Sequence, residues 1–328
     1  MSIWKNVLVY ADGRPESEVA LTEGIRLASH ATGRLMAMDV IPPVPTRIPP
    51  GLPVVAQQEL LELMLQRRDE QLQENVERMP VEAKVTCGNP AFELIRQAVG
   101  GRHDLIVKAA RGREVRRMTS FGTTALHLVR KSAVPVLVMS PRRRLLDAPK
   151  VLCVVDPTDD DSSLELTRAL LLAASSLAEV YGAPLHVLHV IDTQKLNVYR
   201  GLLRSDAFAQ FVQGWHRARQ IDLEQLLSRE LHGLSGVHGH LVEGDPADAI
   251  VNMAAAEKVS HLVMGSVGHV APGLFIWGLA EEVLSRVECS LLTIKPSDFY
   301  TPIALATPDQ WSPAALPAVS SRHPLRRP

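Results

Sequence analysis

Short apolar runs alternate with amphipathic stretches along the first half of the chain. Near-continuous apolar runs bounded by Gly, Pro or Asp are typical of strands buried on both faces of a parallel sheet. Between these runs, apolar residues recur at helical spacing. The pattern predicts strands at 7–11, 35–40, 81–87, 104–109 and 134–139, and helices at 16–29, 57–79, from 90 onward and at 123–131.

The same order of elements returns in the second half. Strands are predicted at 151–155, 185–190, 238–243, 261–264 and 291–294, with a long helix at 207–231. Alternating strands and helices imply a parallel sheet covered on both faces, and right-handed crossovers make it doubly wound. We therefore predict two tandem α/β domains, at 1–147 and 148–300, followed by a proline-rich tail at 301–328 with the composition of a disordered segment.

A glycine-containing cassette follows the fourth predicted strand of each half. The first copy reads Ala-Ala-Arg-Gly at 109–112 and, after nine intervening residues, Gly-Thr-Thr at 122–124. The second reads Gly-Ser-Val-Gly at 265–268 and, again after nine intervening residues, Gly-Leu-Ala at 278–280. Glycine between a strand and a helix lets backbone N–H groups approach an anion closely, so the cassette predicts an anion-binding loop. In a doubly wound sheet, that loop lies at the carboxyl ends of the strands, where ligands bind.

Three features together resemble the universal stress protein family, and in particular its tandem, E-type bacterial members. They are an aspartate that ends the first strand of each half (Asp12 and Asp156), a Gly-x-Pro turn before the third helix (88–90 and 244–246), and the repeated cassette. The resemblance extends over residues 1–305. It implies a five-stranded parallel sheet in the order 3-2-1-4-5 in each domain.

The resemblance also implies a ligand and the residues that hold it. Some members of the family bind ATP and others do not. In the binders, the first-strand aspartate and a backbone group after the second strand hold adenine or ribose, and the cassette holds the phosphates. The matching positions are Asp12, Val40, Ala109, Gly112, Gly122, Thr123 and Thr124 in domain one, and Asp156, Val190, Gly265, Gly268 and Gly278 in domain two.

Domain one departs from the family pattern at its first cassette position, where Ala109 replaces glycine. If this position needs a positive φ, the methyl group of alanine obstructs the close approach of the backbone to a ligand, whereas alanine is tolerated at ordinary dihedral angles. The N–H and hydroxyl groups of 122–124 still suit phosphate at a helix N-terminus. Lys108 is predicted either to reach an anion in the crevice or to pair with a carboxylate such as Asp12. The loop arginines, at 111, 113, 116 and 117, are interpreted either as phosphate ligands or as a solvated charged loop.

Domain two keeps its three glycines but has Leu279 where a hydroxyl belongs, and its nine-residue insert at 269–277 contains no Lys or Arg. That insert is apolar, which favours packing against domain one or a second subunit, or the lining of a pocket for an apolar, lipid-like molecule. We therefore expect the nucleotide, ATP or AMP with Mg²⁺, in domain one. Each first-strand aspartate also has a structural interpretation, because an aspartate that ends a strand commonly caps the following turn.

Composition and charge narrow the function classes. Residues 1–147 carry 21 Lys and Arg against 16 Asp and Glu, and the remainder carries 14 against 20. These charges do not form a basic stripe with aromatics, so no nucleic-acid partner is predicted. No apolar run approaches the roughly 18–20 residues that span a bilayer, and the N-terminus lacks the features of a signal peptide, so we predict a cytoplasmic location. The three widely spaced cysteines (Cys87, Cys153 and Cys289) are interpreted as structural thiols.

Motifs for catalysis or metal binding are missing from the sequence. There is no Gly-x-Ser-x-Gly elbow, Walker cassette, paired-cysteine motif or His-Glu-x-x-His. His186 and His189 lie three apart on a strand and face opposite ways. His238 and His240 can face together, but no further ligand is near them in sequence, so no metal site is predicted.

The sequence thus predicts a non-catalytic cytoplasmic stress-response protein with a nucleotide site in domain one. By the family resemblance, the two domains are expected to form an internal pseudo-dimer like the homodimers of single-domain relatives, with the fifth strands as the seam. Such a seam would cover two sheet edges. The alternatives are a ligand-free scaffold that acts through a protein partner, a binder of an apolar molecule, and a weak ATPase. Whether the pseudo-dimer pairs again into a homodimer is left open.

Overall fold

The apolar runs form ten strands in the part of the chain that the structure describes. The structure is a computed structural model and describes residues 3–43, 54–77, 79–110, 121–140, 148–157, 161–266 and 278–303. The strands are β1 (Asn6–Tyr10), β2 (Arg34–Ile41), β3 (Glu82–Cys87), β4 (Leu105–Ala109), β5 (Val136–Met139), β6 (Val151–Val154), β7 (Leu185–Asp192), β8 (Val237–Gly244), β9 (His261–Gly265) and β10 (Ser290–Ile294).

Helices connect the strands, and local capping signals set where several of them begin. Asn89 accepts hydrogen bonds from the first N–H groups of the third helix, and Asp245 does the same one domain later. A proline follows each cap, where its missing N–H costs nothing. The helices are α1 (Pro15–His30), α2 (Val54–Val76), α3 (Pro90–Gly100), α4 (Thr123–Lys131), α5 (Asp161–Tyr181), α6 (Thr193–Arg200), α7 (Ser205–Glu230), α8 (Pro246–Ala256) and α9 (Leu279–Arg286).

The strands form one continuous sheet in the order β3-β2-β1-β4-β5-β10-β9-β6-β7-β8. Neighbouring strands run parallel within each half. The two halves meet through β5 and β10, which pair antiparallel with Leu137 opposite Leu292. The expected seam along the fifth strands is therefore confirmed, and the sheet buries both edges there.

Helices cover both faces of the sheet and enclose a core that crosses the seam. One face packs against α3, α4, α8 and α9, and its buried cluster includes residues of both halves. The other packs against α1, α5 and the end of α7, again across both halves. The helix α2 covers a smaller cluster beside β2. This continuity makes the two halves one packed unit.

The predicted α/β architecture with two tandem domains is confirmed. Helix α4 begins and ends at the predicted residues, and most other boundaries differ by only a few residues. The short helix α6 was not predicted; Asp192 caps it by accepting from the N–H of Gln194 at 2.8 Å. Within the described ranges, none of the helices combines the length and apolar character needed to cross a bilayer. Residues 111–120, the 269–277 insert and the tail beyond 303 lie outside the described residues.

Candidate functional site

A crevice opens at the carboxyl ends of β1 and β4, where the strand order of domain one reverses. Asp12 follows β1 at its rim. Its carboxylate accepts the N–H of Arg14 at 3.3 Å and lies 3.7 Å from the guanidinium of the same residue. The aspartate thus stabilises the turn into α1 and also lines the crevice. The lining residues are Tyr10, Asp12, Arg14, Glu16, Ser17, Lys108, Ala109 and Ala110.

A second polar cluster lies on the β2 side of the first strand. Arg68, from α2, reaches Asp39 in β2 with Nε at 2.8 Å and Nη2 at 2.6 Å. The same guanidinium donates to the carbonyl of Asp12 at 2.6 Å. Asp39 is only 2% exposed, and burial raises the pKa of its carboxyl while Arg68 opposes that rise. Val40, a predicted site residue, donates its N–H to the Asp39 carboxylate at 2.8 Å, so that backbone donor already has a partner.

Lys108 is buried at the end of β4, close to the ring of Tyr10. Its ammonium donates to the carbonyl of Ala109 at 2.5 Å and lies 5.8 Å from the centre of the Tyr10 ring. Lys108 also lines the crevice, and both roles expected for it from the sequence stay predictions. Burial, followed by the charge of Asp12, raises the pKa of Tyr10 well above its ordinary value, so the phenol stays protonated near neutral pH.

The cassette of domain one keeps the glycine that its backbone requires. Ala109 lies within β4 and is not among the residues with positive φ, so the alanine fits an ordinary strand. Gly122 precedes α4 with φ of 79° and ψ of 157°, a conformation essentially confined to glycine. No side chain caps the first turn of α4 among the described residues. Thr123 is exposed and Thr124 half-buried at this turn, and Gly112 lies outside the described residues.

The corresponding turn in domain two is already occupied by a carboxylate. Gly278 has φ of −76°, which any residue adopts. Its N–H donates to Glu281, the third residue of α9, and Glu281 also pairs with Arg130 of α4 at 2.6 Å. The matching position in α4 is Ala125, which has no carboxylate. The anion-binding end of α9 is therefore filled from within the chain.

A buried lysine stands beside this carboxylate. Lys295 follows β10, and its ammonium lies 3.0 Å from the hydroxyl of Ser266. Burial lowers the pKa of Lys295 to about 8, although the nearby charge of Glu281 opposes the shift. The Ser266 hydroxyl donates in turn to the carbonyl of Val129 in α4 at 3.2 Å. Polar contacts from both domains thus surround the start of α9.

The remaining predicted positions of domain two do not rebuild the domain-one arrangement. The side chain of Asp156 is 58% exposed, against 19% for Asp12. His189 takes the place of Asp39, one residue before Val190, and burial lowers its pKa. Gly265 ends β9 at ordinary dihedrals, and Gly268 lies outside the described residues.

Comparison with known proteins shows which family this architecture represents. The sequence profile described as the Universal stress protein family matches residues 4–140 and, a second time, residues 149–295. The chain belongs to the universal stress protein family. The two matches confirm the resemblance noted in the sequence and its tandem duplication.

Individual relatives cover nearly the whole of this universal stress protein. It is 24% identical to Universal stress protein E of Salmonella typhi over 319 residues, which are 94% of this chain and 100% of the relative. It is also 24% identical to Universal stress protein E of Escherichia coli K12 over 315 residues, 93% and 98% of the two chains. A solved universal stress protein from Archaeoglobus fulgidus DSM 4304 has a TM-score of 0.62 at 18% identity and covers 89% of this chain and 97% of its own. Such a structural likeness shows the fold.

Three histidines meet at the free edge of the universal stress protein's sheet, which the sequence did not suggest. His186 in β7 lies directly opposite His238 in β8, because the two strands pair in parallel. Its Nδ1 lies 2.9 Å from Nε2 of His240, and the two rings stack. The predicted strand order, which makes these strands neighbours, was the signal that could have found the cluster. Among the described residues, no group of three or more His, Cys, Asp or Glu side chains is arranged to hold a metal ion.

The unfolding free energy is expected to fall as the pH is lowered from 7 to 5. Burial lowers the pKa of His186 and of His240 below the ordinary 6.5, and the neighbouring histidines add to the shift, while the charge of Glu257 opposes it. As the pH falls, the unfolded chain therefore binds protons at these histidines before the folded protein does. The stabilisation is complete above pH 6.5 and is lost below it, by up to about 1.4 kcal/mol per pH unit for each proton. Urea titrations across this range should give a smaller slope for His186→Gln/His240→Gln. The exposed His30→Gln is the control, and equal slopes in wild type and double variant would contradict the assignment.

Proposed function

We propose that domain one binds an adenine nucleotide, ATP with Mg²⁺ or AMP, in the crevice between β1 and β4. The observation that carries this proposal is the difference between the two cassette helices. Among the described residues, no side chain caps the first turn of α4, which follows a glycine held at positive φ, whereas Glu281 accepts the N–H of Gly278 at the corresponding turn of α9. A helix N-terminus with free N–H groups favours phosphate. Domain two, in this proposal, does not bind nucleotide.

Groups around the crevice suit the rest of a nucleotide. Because α4 connects the carboxyl end of β4 to the start of β5, its first turn lies at the same edge of the sheet as Asp12 and Lys108. Asp12 supplies a carboxylate that accepts from ribose or adenine, and Lys108 supplies a cation near the phosphates. We propose a non-catalytic role, because the Tyr10 phenol stays protonated near neutral pH and is therefore not a base that activates water. The protein then acts as a cytoplasmic stress-response factor whose signal is nucleotide occupancy.

Calorimetric titration of the full chain with ATP and Mg²⁺ tests this proposal. Wild type is expected to bind with micromolar affinity. Gly122→Ala should weaken binding at least tenfold, about 1.4 kcal/mol, because alanine cannot hold the turn that presents the α4 N–H groups. Gly278→Ala is the matched control at the equivalent position and should bind like wild type. Lys108→Met removes the cation and leaves the turn before α4 intact. It therefore distinguishes a loss of binding caused by the missing charge from a loss caused by a displaced helix.

Each other result points to a different function. No heat with ATP or AMP, and no nucleotide carried through purification, would leave the ligand-free scaffold that acts through protein partners. Equal losses in Gly122→Ala and Gly278→Ala would contradict the assignment to domain one. Release of inorganic phosphate that depends on Mg²⁺ and disappears in Asp12→Ala would instead make the protein a weak ATPase.

A further inference from the structure

Helices α6 and α7 form a hairpin beside β8, at the end of the sheet farthest from the seam. The turn between them is ordered, since the N–H groups of Leu202 and Leu203 both donate to the carbonyl of Tyr199, at 3.0 and 3.1 Å. The only fully buried residues of α7 are Leu223 and Leu226, in its second half. Its first half extends past those two leucines. Among the described residues it packs beside α6, and the imidazole of His216 contacts the carboxylate of Glu243 in β8.

The tip of this hairpin exposes apolar side chains. Leu202 is 76% exposed and Leu203 39%, and both lie in the turn. Behind them, the rings of Tyr199, Phe211 and Trp215 lie in a row, tilted against one another, with ring centres 5.0 and 5.6 Å apart. Contiguous exposed apolar side chains of this kind mark an interaction site rather than ordinary surface.

Cationic residues flank the same tip. The stretch from 199 to 217 contains three arginines and one acidic residue, Asp206, although the chain from 148 onward is acidic as a whole. Arg200 and Arg204 lie directly before and after the leucine turn, and both are exposed. The Arg200 guanidinium also lies 5.3 Å from the ring of Phe208. Residues 199–217 form what we call the basic–aromatic hairpin.

We propose that the basic–aromatic hairpin docks on an anionic lipid surface. Leu202 and Leu203 enter the boundary between headgroups and acyl chains, and Arg200 and Arg204 remain at the level of the lipid phosphates. Tyr199 and Trp215 have the amphipathic rings that favour this interface. The arginines favour a bilayer over an apolar protein groove, because their charge complements anionic headgroups on both sides of the tip. The attachment is weak and reversible, because two inserted leucines and a few surface charges contribute too little binding free energy for stable anchoring.

Co-sedimentation of the full chain with vesicles tests this proposal. The probes are vesicles of phosphatidylglycerol and phosphatidylcholine, and vesicles of phosphatidylcholine alone, at low and high salt. Wild type should sediment with the anionic vesicles at low salt and be released by high salt, because surface charge is screened. Leu202→Ser/Leu203→Ser and Arg200→Gln/Arg204→Gln should each lower the partition coefficient at least tenfold. Leu234→Ser and Arg229→Gln, at exposed sites outside the hairpin, should change it less than twofold.

Three results would overturn the proposal. Wild type could remain in the supernatant with both lipids, or Leu234→Ser could weaken sedimentation as much as the hairpin variants. A concentration-dependent dimer that dissociates in Leu202→Ser/Leu203→Ser would show that a second copy of the chain covers the hairpin instead. Circular dichroism of each variant checks that the fold is retained, which the exposure of these residues leads us to expect.

Discussion

Arg68→Met should lower the free energy of unfolding by about 2 to 3 kcal/mol at pH 7. The variant leaves the Asp39 carboxylate almost fully buried without the guanidinium that now contacts it at 2.6 and 2.8 Å. It also removes the donor to the Asp12 carbonyl. We place the value at the lower end for a buried pair because the Arg68 side chain is about one-third exposed, so water screens part of the interaction. Urea denaturation of wild type and variant measures the difference.

The pH dependence of the unfolding free energy of Arg68→Met identifies the cause of its loss in stability. Burial already raises the pKa of Asp39, and without Arg68 it rises further. The folded variant then holds a proton that the unfolded chain has released, so the deficit should narrow as the pH falls from 7 towards the ordinary carboxyl range. Arg68→Met/Asp39→Asn should recover most of the loss at pH 7. Arg67→Met, at the exposed neighbouring arginine, is the control; a loss there equal to that of Arg68→Met would contradict the buried-pair explanation.

Local sequence signals were sufficient for most of the fold. Helix α4 was predicted with its observed bounds because an apolar face at helical spacing follows Gly122 and the next strand follows closely. The starts of α3 and α8 follow from a capping side chain and a proline that are adjacent in the chain. The seam was expected from the resemblance to homodimers of single-domain relatives, and the covering of two free fifth-strand edges supported that expectation. These features depend on neighbours in sequence or on the topology alone.

Contacts between distant residues could not be predicted in the same way. Arg68 and Asp39 are 29 residues apart, and Arg130 and Glu281 are 151 residues apart. The first pair depends on how α2 lies against β2, and the second on how α4 packs against α9. Neither periodicity nor composition specifies these arrangements. The difference between the two cassettes illustrates the consequence. The sequence indicates that Leu279 stands where a hydroxyl-bearing residue is expected. The structure shows that the carboxylate in the turn comes from Glu281, two residues later.

Glu281→Ala should lower the free energy of unfolding by about 3 kcal/mol. The variant loses the acceptor for the Gly278 N–H and one partner of Arg130, and it leaves the ammonium of Lys295 in a buried site without the nearby carboxylate. Both domains are affected, because Arg130 belongs to α4 and Glu281 to α9. Urea denaturation measures the loss. Glu282→Ala, which removes the exposed carboxylate of the next residue, is the matched control and should cost much less.

The effect of sulfate on the melting temperature distinguishes two roles of Glu281, which either occupies an anion site or only makes a structural contact. If Glu281 occupies an anion site at the start of α9, its removal leaves free N–H groups together with Arg130 and Lys295, and an oxyanion can replace the carboxylate. Sulfate should then raise the melting temperature of Glu281→Ala more than that of wild type or Glu282→Ala. Adding Arg130→Met to Glu281→Ala should reduce this response, because one of the cations is gone. An equal response in all four proteins would mean that Glu281 only connects the two domains; the expected order would mean that domain two retains an anion site that its own carboxylate keeps closed.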